Sequence, residues 1–277
     1  SVLKRIYNLS YDQTEYQIND RLSFMRFLGL GLNDKVIDAK TIWNFENTLA
    51  NAEMGEKLFC MFDAVLENEG LITHKGTIVD ATFVEAPKQR NNRDENKKIK
   101  NGEAPEEWQK PENAHKLAQK DTDARWTKKN NEIHYGYKNH VKCDADSKLI
   151  TNYAVTDASL HDSNRCIDFL DEKDEALYAD SAYFGSSIAE QLPENCENHI
   201  CEKGYRGHPL TEEQKENNRK KSKVRCRIEH IFGFMTRAMH GITIRNIGIT
   251  RAWYNIGLTN LIYNFCRYEF LKRKSTC

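Results

Sequence analysis

Apolar residues along the chain recur with two different periods. Residues 77–85 (TIVDATFVE) form a β-branched, apolar run closed by Pro87, which predicts a buried strand with one acid embedded in it. Residues 133–143 (IHYGYKNHVKC) and 149–155 (LITNYAV) read as a hairpin around the turn Asp144, Ala145, Asp146, Ser147. A further strand covers 176–184 (ALYADSAYF) up to Gly185, and a short one is expected over 199–202. Helical spacing links Leu22, Met25, Phe27 and Leu28, breaks at Gly29 and Gly31, and resumes at Val36, Ile42, Trp43 and Phe45. It recurs at Leu58, Phe59, Phe62, Val65 and Leu66 before Gly70. Ser159 can cap a helix running through Phe169 and Leu170, and another is expected over 186–192. Val224, Ile228, Ile231, Phe232, Met235, Ala238 and Met239 form one continuous helical stripe, followed by a second helix over 253–271.

This order predicts an α/β fold, a mixed sheet flanked by helices, with a helical N-terminal domain over 1–72 and the α/β domain over 73–277. Residues 88–130 carry 12 basic and 8 acidic side chains with few apolar ones, so they read as a polar insertion or mobile loop after the first core strand. No repeat of solenoid period is present.

Composition sets the class. The 277 residues are 39% hydrophobic and 30% charged, with no apolar run long enough to span a bilayer, as expected of a soluble globular protein. The chain starts at Ser1 without a leader-like segment, which suggests a trimmed N-terminus and no export. The eight cysteines are scattered as reduced intracellular thiols would be. Cys196, His199 and Cys201 are the closest grouping, but three ligands at uneven spacing make a poor zinc site.

Charge is unevenly placed. Lys plus Arg equals Asp plus Glu, at 41 each, yet residues 15–70 hold 5 basic and 10 acidic side chains, whereas 211–277 hold 14 and 5. The balances of −5 and +9 argue against an N-terminal DNA reader and give the C-terminal quarter a surface suited to a polyanion. A solvated helix face is the simpler reading of a charge run taken alone.

Three acids stand out. Asp80 lies inside an apolar strand, Asp180 near the end of another, and Glu229 beside Ile228 at the edge of the helical stripe. A carboxylate placed there needs a cation or donors to offset desolvation. Three such acids on three elements could hold two Mg²⁺ ions, with Mn²⁺ able to substitute, for phosphoryl transfer. Arg225, one turn before Glu229, is either its ion-pair partner or a phosphate clamp.

The segments LSFMRFLGLGLNDKVIDAKTIWNFENTLA, KGTIVDATFVEAP, DTDARWTKKNNEIHYGYKNHVKCD, YADSAYFG and KVRCRIEHIFGFMTRAMHG, in this order, resemble the DDE transposases of bacterial insertion sequences, nearest to the insertion sequence five group. The resemblance covers nearly the whole chain. It implies a ribonuclease H-like core with its first acid on the first strand, its second after the fourth strand and its third on a late helix. Asp80, Asp180 and Glu229 would then be the metal-binding catalytic triad. A related signature carries tyrosine three residues before the arginine and lysine seven after the glutamate. Here those positions are Ser222 and Thr236, with Arg237 one residue later.

The implied activity is metal-dependent hydrolysis at the ends of an insertion sequence, followed by attack of the freed 3′ hydroxyl on target DNA. Partners would be double-stranded DNA, both element ends and target, and a second copy of the chain; no membrane is involved, and the setting would be the cytoplasm and nucleoid of a bacterium. Lys220, Lys221, Lys223, Arg225, Arg227 and Arg237 are the expected DNA-binding residues. Trp108 and Trp126 could stack on an unpaired base or simply anchor the insertion, while His134, Tyr135 and Tyr137 fit strand packing. A nuclease of the same core without strand transfer and a catalytically silent DNA-binding protein are the alternatives.

Overall fold

The computed structural model describes residues 1–129 and 131–276. Five helices come first: α1 (Val2–Ile6), α2 (Tyr11–Asp20), α3 (Leu22–Leu28), α4 (Ala39–Asn51) and α5 (Met54–Asn68). Ser10 and Gln13 form a reciprocal capping box on α2, Asp38 caps α4, and α3 ends at Gly29 in the left-handed conformation.

The sheet begins with β1 (Thr77–Glu85). The expected loop is instead folded, as α6 (Arg93–Lys100), α7 (Glu106–Gln109), α8 (Ala114–Ala118) and β2 (Arg125–Lys129). Its few apolar residues suffice because they share one small cluster. Trp108 is fully buried and donates from Nε1 to Glu95, Lys116 and Lys120 lie over its ring, and Arg125 binds the Ile99 carbonyl. Trp108 is therefore an anchor and not a base platform; Trp126 remains 39% exposed against Tyr135.

The long strand β3 (Glu132–Asp144) runs antiparallel to β1, with Asp80 opposite Val141 and Thr77 opposite Asp144. Its other edge is shared between β2, at Glu132 to Gly136, and β4 (Ile150–Asp157), from Tyr137 onward. On the far side of β1, β5 (Ala176–Tyr178) and β6 (Glu197–Asn198) add in parallel, with α9 (Ser186–Glu190) between them. The central strand is thus β1, between an antiparallel hairpin and two parallel strands. This six-stranded mixed sheet flanked by helices is a ribonuclease H-like arrangement. The helix expected after Ser159 is replaced by 3-10 turns at Asp162–Arg165 and Ile167–Phe169, and β6 lies just ahead of the expected 199–202 strand.

Three helices close the fold: α10 (Glu212–Arg225), α11 (Arg227–Arg237) and α12 (Ile249–Thr276). The stripe expected to be one helix breaks at Cys226, so Val224 and Ile228 belong to different helices. From Ala252 to Asn264 nearly every side of α12 is covered, because it lies between the sheet and α1, α4 and α5. Its polar positions set its placement. Asn260 and Asn139 exchange side-chain hydrogen bonds, and Asn264 binds both the amide and carbonyl of Ile150. Ala50 and Phe59 of the N-terminal helices share the main core with Ile78, Val141, Ile231 and Ile256.

Candidate active site

Asp80 sits at the fourth position of the central strand, and its alternation places it on the face covered by α11 and α12. Its Oδ1 accepts from the Ala81 amide at 2.8 Å, and its Oδ2 accepts from Arg225 Nη1 at 3.2 Å. Asp180 follows β5, parallel to β1, and caps the 3-10 turn Ser181–Tyr183 by accepting from the Ala182 amide at 2.6 Å. Glu229 lies in the first turn of α11, with Oε1 3.8 Å from Arg225 Nη1. Its carboxylate is 59% exposed, so it is a surface group reaching inward and not the half-buried acid its stripe position suggested. One hundred degrees of rotation from the buried Ile228 carries it clear of the core.

The electrostatics tie these groups together. Burial pushes the Asp80 carboxyl up to about 6; the Ala81 amide and Arg225 pull it down, while the Asp180 and Glu229 carboxylates push it up. Arg225 therefore lies among acids whose mutual repulsion it offsets only in part. All three are hard oxygen donors of net negative charge, the chemistry a Mg²⁺-type cation requires. Tyr183, fully buried after Asp180, has its hydroxyl pKa raised by burial and then by the Asp80 charge, and that hydroxyl has no hydrogen-bond partner among the described residues. Sequence reasoning passed over it because an aromatic in a strand-like run ordinarily means packing.

A second acidic group lies at the opposite end of the same strands. Ligand atoms of His74, Asp171 and Asp174 lie within 4.8 Å of one another, the one such group among the described residues, so these side chains could also hold a metal ion. The carboxylates of Asp80, Asp180 and Glu229 are not gathered that tightly. Yet Asp174 already receives the buried Lys142 ammonium at 2.7 Å and the Thr77 hydroxyl at 2.6 Å, and His74 binds Glu67 at 2.8 Å. Its negative charge is matched in place, whereas the charge around Asp80 is not.

The basic residues divide into two kinds. Lys220, Lys223 and Arg237 are exposed and make no ion pair among the described residues. Lys221 instead donates to the Ile200 carbonyl at 2.9 Å, and Arg227 donates to the Ala145 carbonyl and to Asp146. Cys196 and Cys201 are buried, free thiols, and His199 pairs with Glu197 and stacks on Tyr178. Cys277 lies outside the described residues. No helix among the described residues is long and apolar enough to cross a membrane.

No solved structure matches the chain. The sequence pattern of the transposase DDE domain matches residues 72–265, and that of a second transposase domain matches residues 1–48. The first match begins just before the central strand, ends within α12 and encloses Asp80, Asp180, Arg225 and Glu229. The chain belongs to the DDE transposases of insertion sequences.

Proposed function

We propose that this transposase hydrolyses a phosphodiester at the end of its element and transfers the freed 3′ hydroxyl into target DNA, with Asp80, Asp180 and Glu229 as catalytic acids. The observation that carries this reading is the uncompensated negative charge around Asp80 on the central strand, contributed by Asp180 and Glu229 and only partly offset by Arg225. The three carboxylates would hold Mg²⁺ or Mn²⁺. A bound divalent pair supplies activation of the attacking oxygen and stabilisation of the leaving one.

The remaining work falls to the chain. Asp80 and Asp180 are preorganised, because the amides of Ala81 and Ala182 fix one oxygen of each. Arg225 stands where a scissile phosphate would meet the acids, and its guanidinium can exchange carboxylate for phosphate oxygens without leaving that position. Lys220, Lys223 and Arg237 are free to meet the DNA backbone, with Arg227 beside them, and Lys221 contributes from its tether on Ile200. Action on DNA would set the protein in the cytoplasm of a bacterium, at the nucleoid. Paired element ends call for a homodimer, and residues 1–72 would act as the family's N-terminal domain within an insertion-sequence-five-like enzyme.

The test incubates purified protein with a labelled duplex carrying the element end, with Mg²⁺, with Ca²⁺ and without a divalent ion. Mg²⁺-dependent cleavage with joined products is expected. Cleavage without joining would assign the nuclease reading, and binding alone by a folded preparation would assign a silent DNA-binding protein.

A further inference from the structure

Three cations from three separate elements meet at the turn between β3 and β4. Arg227, at the start of α11, donates from Nη1 to the Ala145 carbonyl at 2.8 Å and to Asp146 Oδ1 at 2.9 Å. Arg267, on α12, donates from Nε to the Ser147 carbonyl at 2.6 Å, with its guanidinium over the Phe270 ring. Lys148 belongs to the turn itself, where its backbone adopts φ +60° and its carbonyl accepts from the Tyr263 hydroxyl.

The arrangement is costly as it stands. A lysine in the left-handed region is strained relative to glycine or asparagine. Lys148 is also surrounded by its own sign of charge: burial and then the two arginines lower its pKa. Lys148 and Arg267 make no ion pair among the described residues, so Asp146, through Arg227, is the one acid paired with the cluster. The turn cannot relax to separate them, because buried Asp144 accepts from the amides of Thr73, His74, Asp146 and Ser147. Two guanidinium groups held by backbone carbonyls, with N–H groups left over and an ammonium between, suit a phosphate oxygen pair.

We propose that Lys148, Arg227 and Arg267 form a phosphodiester-binding site that grips the DNA backbone away from the bond being cut. Thr77 pairs with Asp144 at the base of this turn, and Asp80 lies three residues further along β1, about 10 Å away at strand spacing. Arg225 and Arg227, on either side of Cys226, connect the two positions.

This inference rests on the transposase reading, and its test separates the two. Binding of the full-length protein to a 30-base-pair duplex (length roughly that of a small site) is measured against salt for wild type, the Lys148→Ala/Arg267→Ala variant and Lys148→Gly. The double variant is expected to lower the slope of log affinity on log salt by about 2, equally on unrelated sequences. Lys148→Gly is expected to weaken binding while raising the melting temperature, a divergence that a purely structural lysine would not give. Unchanged slopes and affinities, with wild type binding normally, would overturn the site alone; a wild type that binds no duplex would overturn the transposase reading with it. Inorganic phosphate that binds wild type but not the double variant, while duplex affinity and salt slope are the same for both, would assign a free phosphate ion in place of DNA and overturn the proposal.

Discussion

Arg225 Nη1 lies 3.2 Å from Asp80 and 3.8 Å from Glu229, so one guanidinium links the acid of the central strand to the acid of the late helix. On the proposed reading a metal ion held by these acids would compete with that guanidinium for the same negative charge. Arg225→Gln is therefore expected to bind Mn²⁺ more tightly than wild type in the absence of DNA, by several-fold in titration calorimetry. Equal or weaker affinity would mean that the guanidinium does not compete with the ion.

Removing the charge of a proposed ligand without disturbing the basic surface should separate chemistry from binding. Asp180→Asn keeps an oxygen able to accept from the Ala182 amide and loses the charge. Cleavage of an end-bearing duplex is expected to fall below detection, with duplex affinity within about twofold of wild type, a difference of less than about 0.5 kcal/mol. Cleavage at the wild-type rate would remove Asp180 from the catalytic set.

The raised Asp80 pKa carries a pH signature. Folded Asp80 keeps its proton up to about pH 6, while its ordinary value is 3.8. The folded state binds more protons between those values, so stability falls as pH rises through that window, by up to roughly 3 kcal/mol. Burial raises Asp63 into the same range, so the comparison must be with Asp80→Asn and not with pH alone. In metal-free urea denaturation, Asp80→Asn is expected to match wild type near pH 4 and exceed it at pH 7.5. A constant offset across that range would refute the assignment.

Gly136 tests the sheet. It pairs with Glu85 on one edge and Arg125 on the other at φ +146°, and an added methyl would overlap the Val84 carbonyl and sit 2.8 Å from the Ala86 amide nitrogen. Gly136→Ala is expected to cost about 3 kcal/mol, from strain and overpacking together, read as a lowered urea midpoint with unchanged m-value. A loss under about 0.5 kcal/mol, the range of neutral surface changes, would mean that the strands part easily here.

What could be read in the sequence was whatever depends on local period. The β-branched run around Asp80 and the alternation of the β3–β4 hairpin carry their structure in neighbouring residues, and the sheet follows from their order. For Trp108 the sequence leaves base platform and anchor both open, because its burial depends on Glu95, Lys116 and Lys120, brought together by short helices whose own sequences are almost wholly polar. The break at Cys226 was hidden because the apolar stripe keeps its phase across it. Lys148 gave no signal at all, since neither its left-handed backbone nor the arrival of Arg267 from more than a hundred residues away has a local signature.

The position of α12 also imposes an order of events on biosynthesis. Ala50, Phe59, Ile78 and Val141 leave the ribosome well before Ile256, Leu261 and Ile262, yet all belong to one core. Until those late residues emerge, the N-terminal helices and the sheet meet only through contacts such as Phe59 on Tyr153 and Leu66 with Leu149, and the Asn139 and Ile150 contacts wait for Asn260 and Asn264. A nascent chain carrying Asp80 and Asp180 but not yet α12 would thus lack part of the packing behind their strands, so on the proposed reading any cutting would wait for that helix.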